Sequence, residues 1–403
     1  MSIPAQFARP SASLSPRAAT AFAFLTAVSF SAATSAPTPL YHVYQQAMAL
    51  SPLTITLVFA SYAFAMLASF LTVARLSDFV GRKPMILVSL LINALSLLIF
   101  ITAASAGQLI LARVVQGIGN GIAMTTLGAA ILDTDAKNGP LYNSVTAFLG
   151  LMVGSLLAGA LVAFAPLPTQ LVYVVLLAVT LLEAAVLIVV PETTARHPGA
   201  LRVLIPHAAV PTAARPAMLR LLPLNTAGWA LGGFYFSLMP TLVGVATHID
   251  SPFIGGAVVS AMMLAAAVVV FALRHLPAER LISTGMGGLA LGIVLTLVGI
   301  AVSSAPVMIL GTVIVGGGFG SAFAGMLRRL LPLAGPSERA GLLAAFFVAS
   351  YLAFALPAIA AGLVAPVLGL VTTTYLYQGV LLGLVAASFV AMRPAKVHRL
   401  LEV

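Results

Sequence analysis

Residues 52–104 read PLTITLVFASYAFAMLASFLTVARLSDFVGRKPMILVSLLINALSLLIFITAA. Two apolar runs, at 52–74 and 84–104, flank a short segment that carries every charged residue of this stretch. A helix of about 20 apolar residues crosses a bilayer core about 30 Å thick. Only a helix satisfies each backbone N–H and C=O group within such a run, because no water is available there. The stretch therefore predicts two membrane-spanning helices joined by a short charged loop.

The composition of the whole chain indicates that lipid is its solvent. Hydrophobic residues make up 61% of the 403 residues and charged residues only 7%, whereas about a quarter of the residues of a soluble protein are charged. Soluble enzymes, disordered proteins and fibrous proteins are therefore excluded. The chain has no cysteine, scattered histidines and no Gly-x-x-x-x-Gly-Lys loop for nucleotide phosphates. We expect no disulfide, no metal and no cofactor.

Apolar runs of similar length recur along the chain and predict an all-α membrane protein with twelve transmembrane helices. The predicted spans are 18–46, 52–74, 84–104, 108–132, 142–165, 170–190, 221–246, 253–273, 281–302, 306–327, 341–364 and 370–392. One connection is long, proline-rich and basic, and it divides the spans into two sets of six. The predicted organisation is a tail at 1–17, an N-terminal six-helix bundle at 18–190, a linker at 191–220, a C-terminal six-helix bundle at 221–392 and a tail at 393–403.

The distribution of basic residues predicts the orientation in the membrane. With both termini cytoplasmic, 18 of the 19 Lys and Arg residues lie on the cytoplasmic side, and the outer loops carry none. This distribution obeys the positive-inside rule and predicts a multi-pass protein of the bacterial inner membrane. The same distribution explains the net charge of +10, so this charge does not indicate binding to nucleic acid. The segment SAATSAPT at 31–38 also resembles a signal-peptide cleavage region, and cleavage there would leave eleven spans.

Sequence features of the first predicted half recur in the second half at an offset near 200 residues. The repeated features are Gly117, Gly119 and Gly121 with Gly316, Gly318 and Gly320, Pro39 with Pro240, and Ala158–Gly159 with Ala361–Gly362. Glycine and proline are common in membrane helices, but here they fall at equivalent places in both halves. Parallel six-helix repeats with a substrate site between them are a plan of secondary transporters. The repeat therefore predicts two pseudo-symmetric bundles around a shared site.

The charged loop at 74–86, ARLSDFVGRKPMI, resembles the loop between the second and third helices of the major facilitator superfamily, GxLaDrxGRKxxl. The matching residues are Leu76, Asp78, Gly81, Arg82 and Lys83, and the departures are Ala74, Ser77, Phe79 and Ile86. The resemblance implies the major facilitator fold and a cytoplasmic gate that latches the inner side and releases as the halves rock. The gate residues would be Asp78, Gly81, Arg82 and Lys83. The alternative interpretation is a solvated loop that only sets topology.

The fourth predicted span carries an intramembrane arginine. Its sequence from Arg113 to Gly119 resembles the RxxqGxg motif that is clearest in proton-coupled drug antiporters of the same superfamily. Arg113, Gln116 and Asn120 share one helical face, and that face must look into the protein because a guanidinium in hydrocarbon is costly. Arg113 could bind an anionic substrate or tune the proton affinity of a nearby acid. The alternative is a structural arginine capped by backbone carbonyls.

The fifth predicted span carries small residues at a regular spacing. Gly150, Gly154 and Gly159 stand in register with the antiporter signature gxxxGPxxGG of the superfamily, whereas Ser155 and Ala158 replace a family Pro and Gly. Together with Gly117 and Gly119 of the fourth span, these glycines are predicted to pack helices closely. Generic packing of small residues is the alternative to an export signature. The sequence Pro191–Thr193 at the end of the sixth span also resembles the family.

Other candidates complete the predicted site. Glu183 is the one carboxylate well inside a span, so it is either a proton carrier or a residue that pairs with a neighbouring span. The second interpretation is preferred, since sixth spans are peripheral in this family. The resemblance also implies cavity positions for the aromatic side chains of Tyr41, Trp229, Tyr235 and Tyr351. Aromatic residues are equally common as anchors at the membrane interface.

The sequence thus predicts a secondary active transporter, and proton-driven export of an apolar or amphipathic compound is the preferred function. Uptake of a small organic nutrient or anion, by proton symport or facilitated diffusion, is the alternative, with Arg113 as the anion contact. An enzyme is not expected, because no convergent set of acids, histidines or serines lies on one face. A purely structural membrane protein would leave Arg113 unexplained. The expected partners are a small-molecule substrate, protons and the lipid bilayer, and a monomer is usual for the family.

Overall fold

The computed structural model describes residues 14–73, 75–195, 197–199, 208–249, 251–335 and 338–392. Within these residues every regular element is a helix. The first half contains α1 (Pro16–Ser35), α2 (Pro37–Met48), α3 (Pro52–Val73), α4 (Ser77–Val80), α5 (Arg82–Ile101), α6 (Ala106–Thr134), α7 (Gly139–Phe164) and α8 (Leu171–Val186). The second half contains α9 (Arg215–Ser237), α10 (Met239–Thr247), α11 (Pro252–Ala272), α12 (Ala278–Ala301), α13 (Ala305–Leu330), α14 (Arg339–Leu368) and α15 (Leu370–Ala391).

These helices form twelve membrane spans. Eleven segments, counting α1 with α2 as one span of 33 residues, are long and apolar enough to cross a membrane by themselves. The helices α9 and α10 together form the twelfth span and meet at an angle of 67°. The break falls just before Pro240, whose missing N–H and ring disfavour a continuous helix. The all-α fold with twelve spans is therefore confirmed, and the chain is a multi-pass membrane protein.

The two sides of the membrane can be named from the chain path. The start of α1 and the end of α15 lie on the same side, because an even number of spans separates them. We call this the termini side. The connections after α2, α5, α7, α10, α12 and α14 lie on the opposite side, which we call the far side.

The observed helix ends lie close to the predicted ones, with the largest difference at α9. This helix begins at Arg215, whereas the sequence predicts a linker that runs to residue 220. Pro216 occupies the first turn, where a missing N–H costs nothing, and Arg215 and Arg220 in the first two turns lower the hydropathy on which the prediction rests. Residues 1–13, 200–207 and 393–403 lie outside the described residues, so the bounds of the tails and linker stay predictions.

The two halves meet through two equivalent pairs of helices, α7 with α11 and α14 with α3. Near the far side, Gly159 of α7 packs against Gly256 of α11, and Gly362 of α14 packs against Thr56 of α3. Gly159 corresponds to Gly362, and Thr56 corresponds to Gly256, at the offset near 200 residues that links the repeats. The same contact is therefore made twice, once by each pair of helices. Two pseudo-symmetric six-helix bundles, as the repeat predicts, are therefore confirmed.

Glycines also bring helices together inside the first half. Gly117 and Gly119 of α6 lie against α3 and α5, and Gly150 and Gly154 of α7 lie against α1. A β carbon built on Gly117 would come within 2.6 Å of the carbonyl oxygen of Tyr62. Only a residue without a side chain allows the backbones to approach this closely, so these glycines fix where α6 and α7 stand around the site.

Replacing Gly154 with valine should destabilise the protein. A β carbon there would overlap the carbonyl oxygen of Ala32 and lie 2.6 Å from its carbonyl carbon, and overpacking typically costs about 1–3 kcal/mol. We expect a lower melting temperature for the detergent-solubilised protein. Gly383→Val is the matched control, since nothing lies within 4 Å of the equivalent atom on α15. Equal melting temperatures for the two variants would contradict the close packing of α7 on α1.

Candidate substrate site between the two halves

The helix α6 places Arg113 inside the first half. It begins where the Ser105 hydroxyl accepts the backbone N–H of Gln108 at 3.3 Å, and it carries Arg113 two turns into the membrane. The Arg113 side chain is buried, with 2% of its surface exposed. Its Nη1 donates hydrogen bonds to the carbonyl oxygen of Thr34 at 2.9 Å and to Oε1 of Gln116 at 2.7 Å. The predicted face of α6 therefore does look into the protein.

The break between α1 and α2 explains why α1 offers acceptors at this depth. Pro37 has no N–H, so the carbonyl group of Ala33, four residues earlier, has no helical donor. The side-chain Nε2 of Gln116 donates to that oxygen at 2.9 Å. The proline thus creates the acceptor that fixes Gln116, and Gln116 in turn orients Arg113.

Tyr62 of α3 packs against the guanidinium group. The Cζ atom of Arg113 lies 4.4 Å from the centroid of the Tyr62 ring, which is a cation–π contact. The Tyr62 hydroxyl accepts hydrogen bonds from Thr34 Oγ1 at 3.3 Å and from Asn120 Nδ2, and it donates to Met66 Sδ at 3.0 Å. Sequence reasoning missed Tyr62 and Met66, although a tyrosine in the middle of an apolar span is a signal that could have indicated them.

Arg113 has no counter-ion among the described residues. No carboxylate oxygen of these residues lies within 4.0 Å of its nitrogens. The described ion pairs are Arg82 with Asp78, Arg82 with Asp133, and Arg329 with Glu279. Arg113 Nε and Asn120 Oδ1 are also buried without a hydrogen-bond partner in the described structure. An unpaired buried charge is costly, so the site can stabilise a negative charge on a ligand or on a nearby acid.

An aromatic cluster in the second half surrounds Trp229 of α9. Five rings lie between 5.2 and 6.3 Å from the Trp229 ring, centroid to centroid, mostly edge to face. They belong to Phe319, Phe323, Phe347, Tyr351 and Phe354. Trp229 Nε1 and Asn225 Nδ2, one turn apart on α9, are buried without a described partner. The cluster therefore combines a large apolar surface with hydrogen-bond donors that are free to bind a ligand.

The aromatic cluster and the Arg113 network meet where the two halves touch. The Tyr351 hydroxyl of α14 donates to Met66 Sδ of α3 at 2.9 Å, and the Phe354 and Phe59 rings lie 4.7 Å apart across the same boundary. Met66 thus receives hydrogen bonds from Tyr62 in its own half and from Tyr351 in the other half. We call the set Arg113, Gln116, Asn120, Tyr62, Met66, Tyr351 and Trp229 the central site.

Three predicted residues lie elsewhere in the halves. Tyr41 is buried in α2, and its hydroxyl has no described partner. The Tyr235 hydroxyl hydrogen-bonds with Thr312 at 3.0 Å and Thr296 at 3.4 Å, inside the second half. Glu183 lies near the end of α8, and its Oε2 is buried without a hydrogen-bond partner in the described structure. The roles of all three stay predictions.

On the termini side, the predicted gate residues form a hydrogen-bonded cluster. Arg82 donates to Asp78, to Ser77 at 2.7 Å and to Asp133 at 3.0 Å. Lys83 Nζ donates to the carbonyl oxygens of Ile188 at 2.7 Å and Val190 at 3.0 Å. All of these partners belong to the first half, so in this conformation the cluster ties α5 to α6 and to the end of α8. A latch between the two halves stays a prediction.

Glu192 holds the start of α5, which sequence reasoning did not foresee. Its carboxylate accepts the backbone N–H groups of Arg82 at 2.8 Å and Lys83 at 3.0 Å. These are orphan donors of a helix N-terminus, where negative charge is favoured. Gly81, just before the helix, has φ +104° and leaves room for the carboxylate. The Glu of the Pro191–Thr193 motif is therefore a helix cap for the gate segment.

Replacing Gly81 with alanine should weaken this cluster. A non-glycine residue at φ +104° is strained by about 1–3 kcal/mol, and its β carbon would lie 2.6 Å from Glu192 Oε2. Gly369→Ala is the control, because Gly369 also has positive φ, +78°, but nothing lies within 4 Å of the added atom. We expect a larger loss of thermal stability for Gly81→Ala. Equal losses would show that only backbone strain matters there.

A cavity of about 290 Å³ opens on the far side, between α2 of the first half and α10 and α11 of the second. Pro39 and Pro240, the proline pair of the repeat, both line it, together with His42, Gln46 and Thr241. Nearby, Thr241 Oγ1 donates to Gln45 Oε1 at 3.4 Å across the two halves. The cavity lies beside the far-side contact of the halves, where Gly256 touches Pro39 and Gly159.

The sequence profile of the Major Facilitator Superfamily matches residues 23–356, which is most of the chain. The protein belongs to this superfamily. The resemblance that the charged loop indicates is therefore confirmed. Members of the Major Facilitator Superfamily are membrane transporters, and in general they are not enzymes. A transporter of this superfamily would sit in a lipid bilayer and bind a small-molecule substrate.

Individual relatives of this superfamily member are distant. The uncharacterized MFS-type transporter EfpA of Mycobacterium tuberculosis, in strains CDC 1551 and H37Rv, is 30% identical over 123 residues. That match covers 29% of this chain and only 23% of the relative.

Solved structures of the superfamily share the fold over almost the whole chain. The nucleoside transporter NupG aligns with a TM-score of 0.71 at 12% identity, over 92% of this chain and 99% of that one. The human organic anion transporter MFSD10 aligns with a TM-score of 0.63 at 17% identity, over 93% and 99%. At these identities the likeness concerns the fold alone.

Proposed function

We propose that the protein exports an apolar or amphipathic organic compound by alternating access, driven by the proton gradient across a bacterial inner membrane. In this proposal the termini side is cytoplasmic and the monomer is the working unit. The two halves rock about the central site and open it alternately to each side. The orientation is supported by the positive-inside rule, and the direction of transport by the resemblance of the fourth and fifth spans to proton-coupled drug antiporters.

The observation that carries this proposal is the pairing of the Trp229 cluster with the Arg113 network at the boundary of the halves. Small-molecule sites are mostly apolar and aromatic, with a few convergent polar groups. Trp229 and Tyr351 supply the aromatic surface, while Asn120 Oδ1 and Trp229 Nε1 are buried polar atoms without partners in the described structure. A compound with a flat apolar body and one or two hydrogen-bonding groups would fill this site.

Proton coupling is assigned to the first half. Glu183 is the carboxylate that lies well inside a span, and Arg113 is the buried cation. The second half has no carboxylate in the interior of any described span. A proton could therefore bind in the first half while the substrate contacts both halves, which would link protonation to the rocking motion.

The test uses the purified protein in lipid vesicles with an imposed pH gradient. Neutral, cationic and anionic aromatic compounds are added separately, while compound accumulation and internal pH are followed. We expect protons and a neutral or amphipathic compound to cross the membrane in opposite directions. Vesicles without protein should show no such exchange. A transport rate that does not depend on the pH gradient would refute proton coupling. Absence of transport for every aromatic compound would refute the proposed substrate class.

Uptake of a small organic anion is the second candidate, and the missing counter-ion of Arg113 among the described residues favours it. A carboxylate on the substrate would neutralise the guanidinium through charge-assisted hydrogen bonds. The same vesicles distinguish the two functions when an aromatic carboxylate is compared with its neutral amide. Accumulation of the carboxylate alone, in the direction of proton entry, would replace export by anion symport.

A further inference from the structure

The termini-side surface of the second half carries more unbalanced positive charge than that of the first half. Among the described residues on this side, the first half has five basic and four acidic side chains, whereas the second has seven and two. Asp135 is one of the four acids of the first half, and hydrogen bonds from the Asn138 backbone N–H and then from the Asn138 side chain lower the pKa of its carboxyl. The positive-inside rule requires basic residues on this side, but it does not require a surplus in one half.

Four of the surplus arginines gather at one corner, where α11 turns into α12 beside the end of α13. Arg328 Nη1 donates to the carbonyl oxygen of Leu276 in that turn. Arg274, two residues before Leu276, lies with its Cζ 4.3 Å from the Phe271 ring centroid and is exposed. The other two are Arg280 and Arg329, and Glu279 pairs with Arg329 at 3.0 Å. The corner therefore holds four guanidinium groups and one carboxylate, which pairs with Arg329.

Helix dipoles explain only part of this corner. Arg328 and Arg329 lie in the last turn of α13, where a cation is favoured. Arg280 lies in the first turn of α12, where a cation is disfavoured, and the N-cap residue Pro277 offers no side-chain acceptor. Glu279 in the same turn supplies one negative charge and pairs with Arg329, so the corner keeps three more guanidinium groups than carboxylates among the described residues.

An apolar stripe of α11 leads directly to this corner. Leu264, Val268 and Phe271 lie on one helical face, and their exposed fractions are 46%, 55% and 49%. Arg274 follows two residues after the end of α11, and its guanidinium group lies over the Phe271 ring. An apolar stripe that ends at a positively charged group is complementary to an acyl chain that ends at a negatively charged phosphate.

We propose that this corner binds an anionic phospholipid of the termini-side leaflet. The phosphate lies between Arg274 and Arg328, and one acyl chain lies along Leu264, Val268 and Phe271. Basic pockets between membrane helices bind anionic headgroups, and each arginine near the surface contributes about 1 kcal/mol. The site is separate from the central site, so it does not depend on the proposed direction or substrate of transport.

The test titrates the purified full-length protein in neutral detergent with phosphatidylglycerol or phosphatidylcholine and measures binding by native mass spectrometry. We expect the wild type to prefer phosphatidylglycerol. The double variant Arg274→Gln, Arg328→Gln should bind it about 25-fold more weakly, since each charge is worth about fivefold. The control Arg17→Gln, Lys137→Gln removes the same charge from the first half and should leave binding unchanged.

Two further arms separate the possible sources of an anion. Glycerol 3-phosphate carries the phosphate without an acyl chain and should not displace the lipid, and Leu264→Ser, Val268→Ser should weaken lipid binding several-fold. Equal losses for the two charge variants would overturn the site, because they would show only general attraction to positive charge. Displacement by glycerol 3-phosphate would also overturn it, since a soluble anion would then be the ligand.

Discussion

Replacing Arg113 with alanine is expected to abolish gradient-driven transport, with a decrease of at least about 100-fold. The guanidinium group joins Thr34 of α1, Gln116 of α6 and the ring of Tyr62 in α3. Its removal deletes the buried charge and leaves the Gln116 oxygen without its donor, and each buried polar group left unpaired costs about 1–3 kcal/mol. Transport in vesicles with an imposed pH gradient measures the effect.

Exchange of substrate across the membrane without a pH gradient distinguishes a role of Arg113 in proton coupling from a role in substrate binding. If the residue couples protons, the variant keeps exchange while it loses gradient-driven transport, and Arg113→Lys restores part of the coupling. If Arg113 binds an anionic substrate directly, exchange is lost as well. Arg220→Ala is the control, because Arg220 is an exposed arginine on the termini side. Normal transport by a folded Arg113→Ala protein would contradict the account of the central site.

Replacing Trp229 with alanine is expected to raise the substrate concentration for half-maximal transport about tenfold or more. The change removes the ring around which five other aromatic rings are arranged, and aromatic pairs contribute about 0.5–1.5 kcal/mol each beyond their buried area. Trp229→Phe should lose much less. Tyr375→Ala, which removes an exposed ring of α15, should behave as the wild type.

The unmodified protein offers a direct readout of the same site. Trp229 is its only tryptophan, so a change in intrinsic tryptophan fluorescence on adding a transported compound must come from the central site. We expect a saturable change whose midpoint agrees with the transport measurement. Two results together would place the substrate elsewhere. A transported compound would leave the fluorescence of Trp229 unchanged, and the Trp229→Ala variant would transport that compound normally.

The fold could be predicted almost completely from the sequence, because hydropathy and the repeat act on long segments. Twenty apolar residues predict a span whatever their detailed contacts. The equivalent contacts of Gly159 with Gly256 and of Gly362 with Thr56 follow from the offset between the halves. The start of α9 at Arg215 was missed because Arg215 and Arg220, in the first two turns, lower the mean hydropathy.

The central site could be predicted only in part. A buried arginine in a span signals its own importance, but Arg113 and Gln116 donate to backbone carbonyl oxygens of α1, about 80 residues away in sequence. Pro37 was a usable signal, since it removes the donor for the Ala33 carbonyl. Tyr62, a tyrosine in the middle of an apolar span, was a second signal, whereas Met66 gave none by itself, because its role arises only when α3 and α14 meet. Tyr235 shows the reverse case, since its aromatic character does not reveal that Thr296 and Thr312 bind it inside the second half.

The most direct test of alternating access is a reversible cross-link across the far side. The chain contains no cysteine, so Gln45→Cys with Thr241→Cys introduces the only thiols, at two side chains that touch across the halves at 3.4 Å. We predict that oxidation to the disulfide stops transport, that reduction restores it, and that each single variant transports normally under oxidation. Transport at the wild-type rate by fully cross-linked protein would contradict the rocking of the two halves.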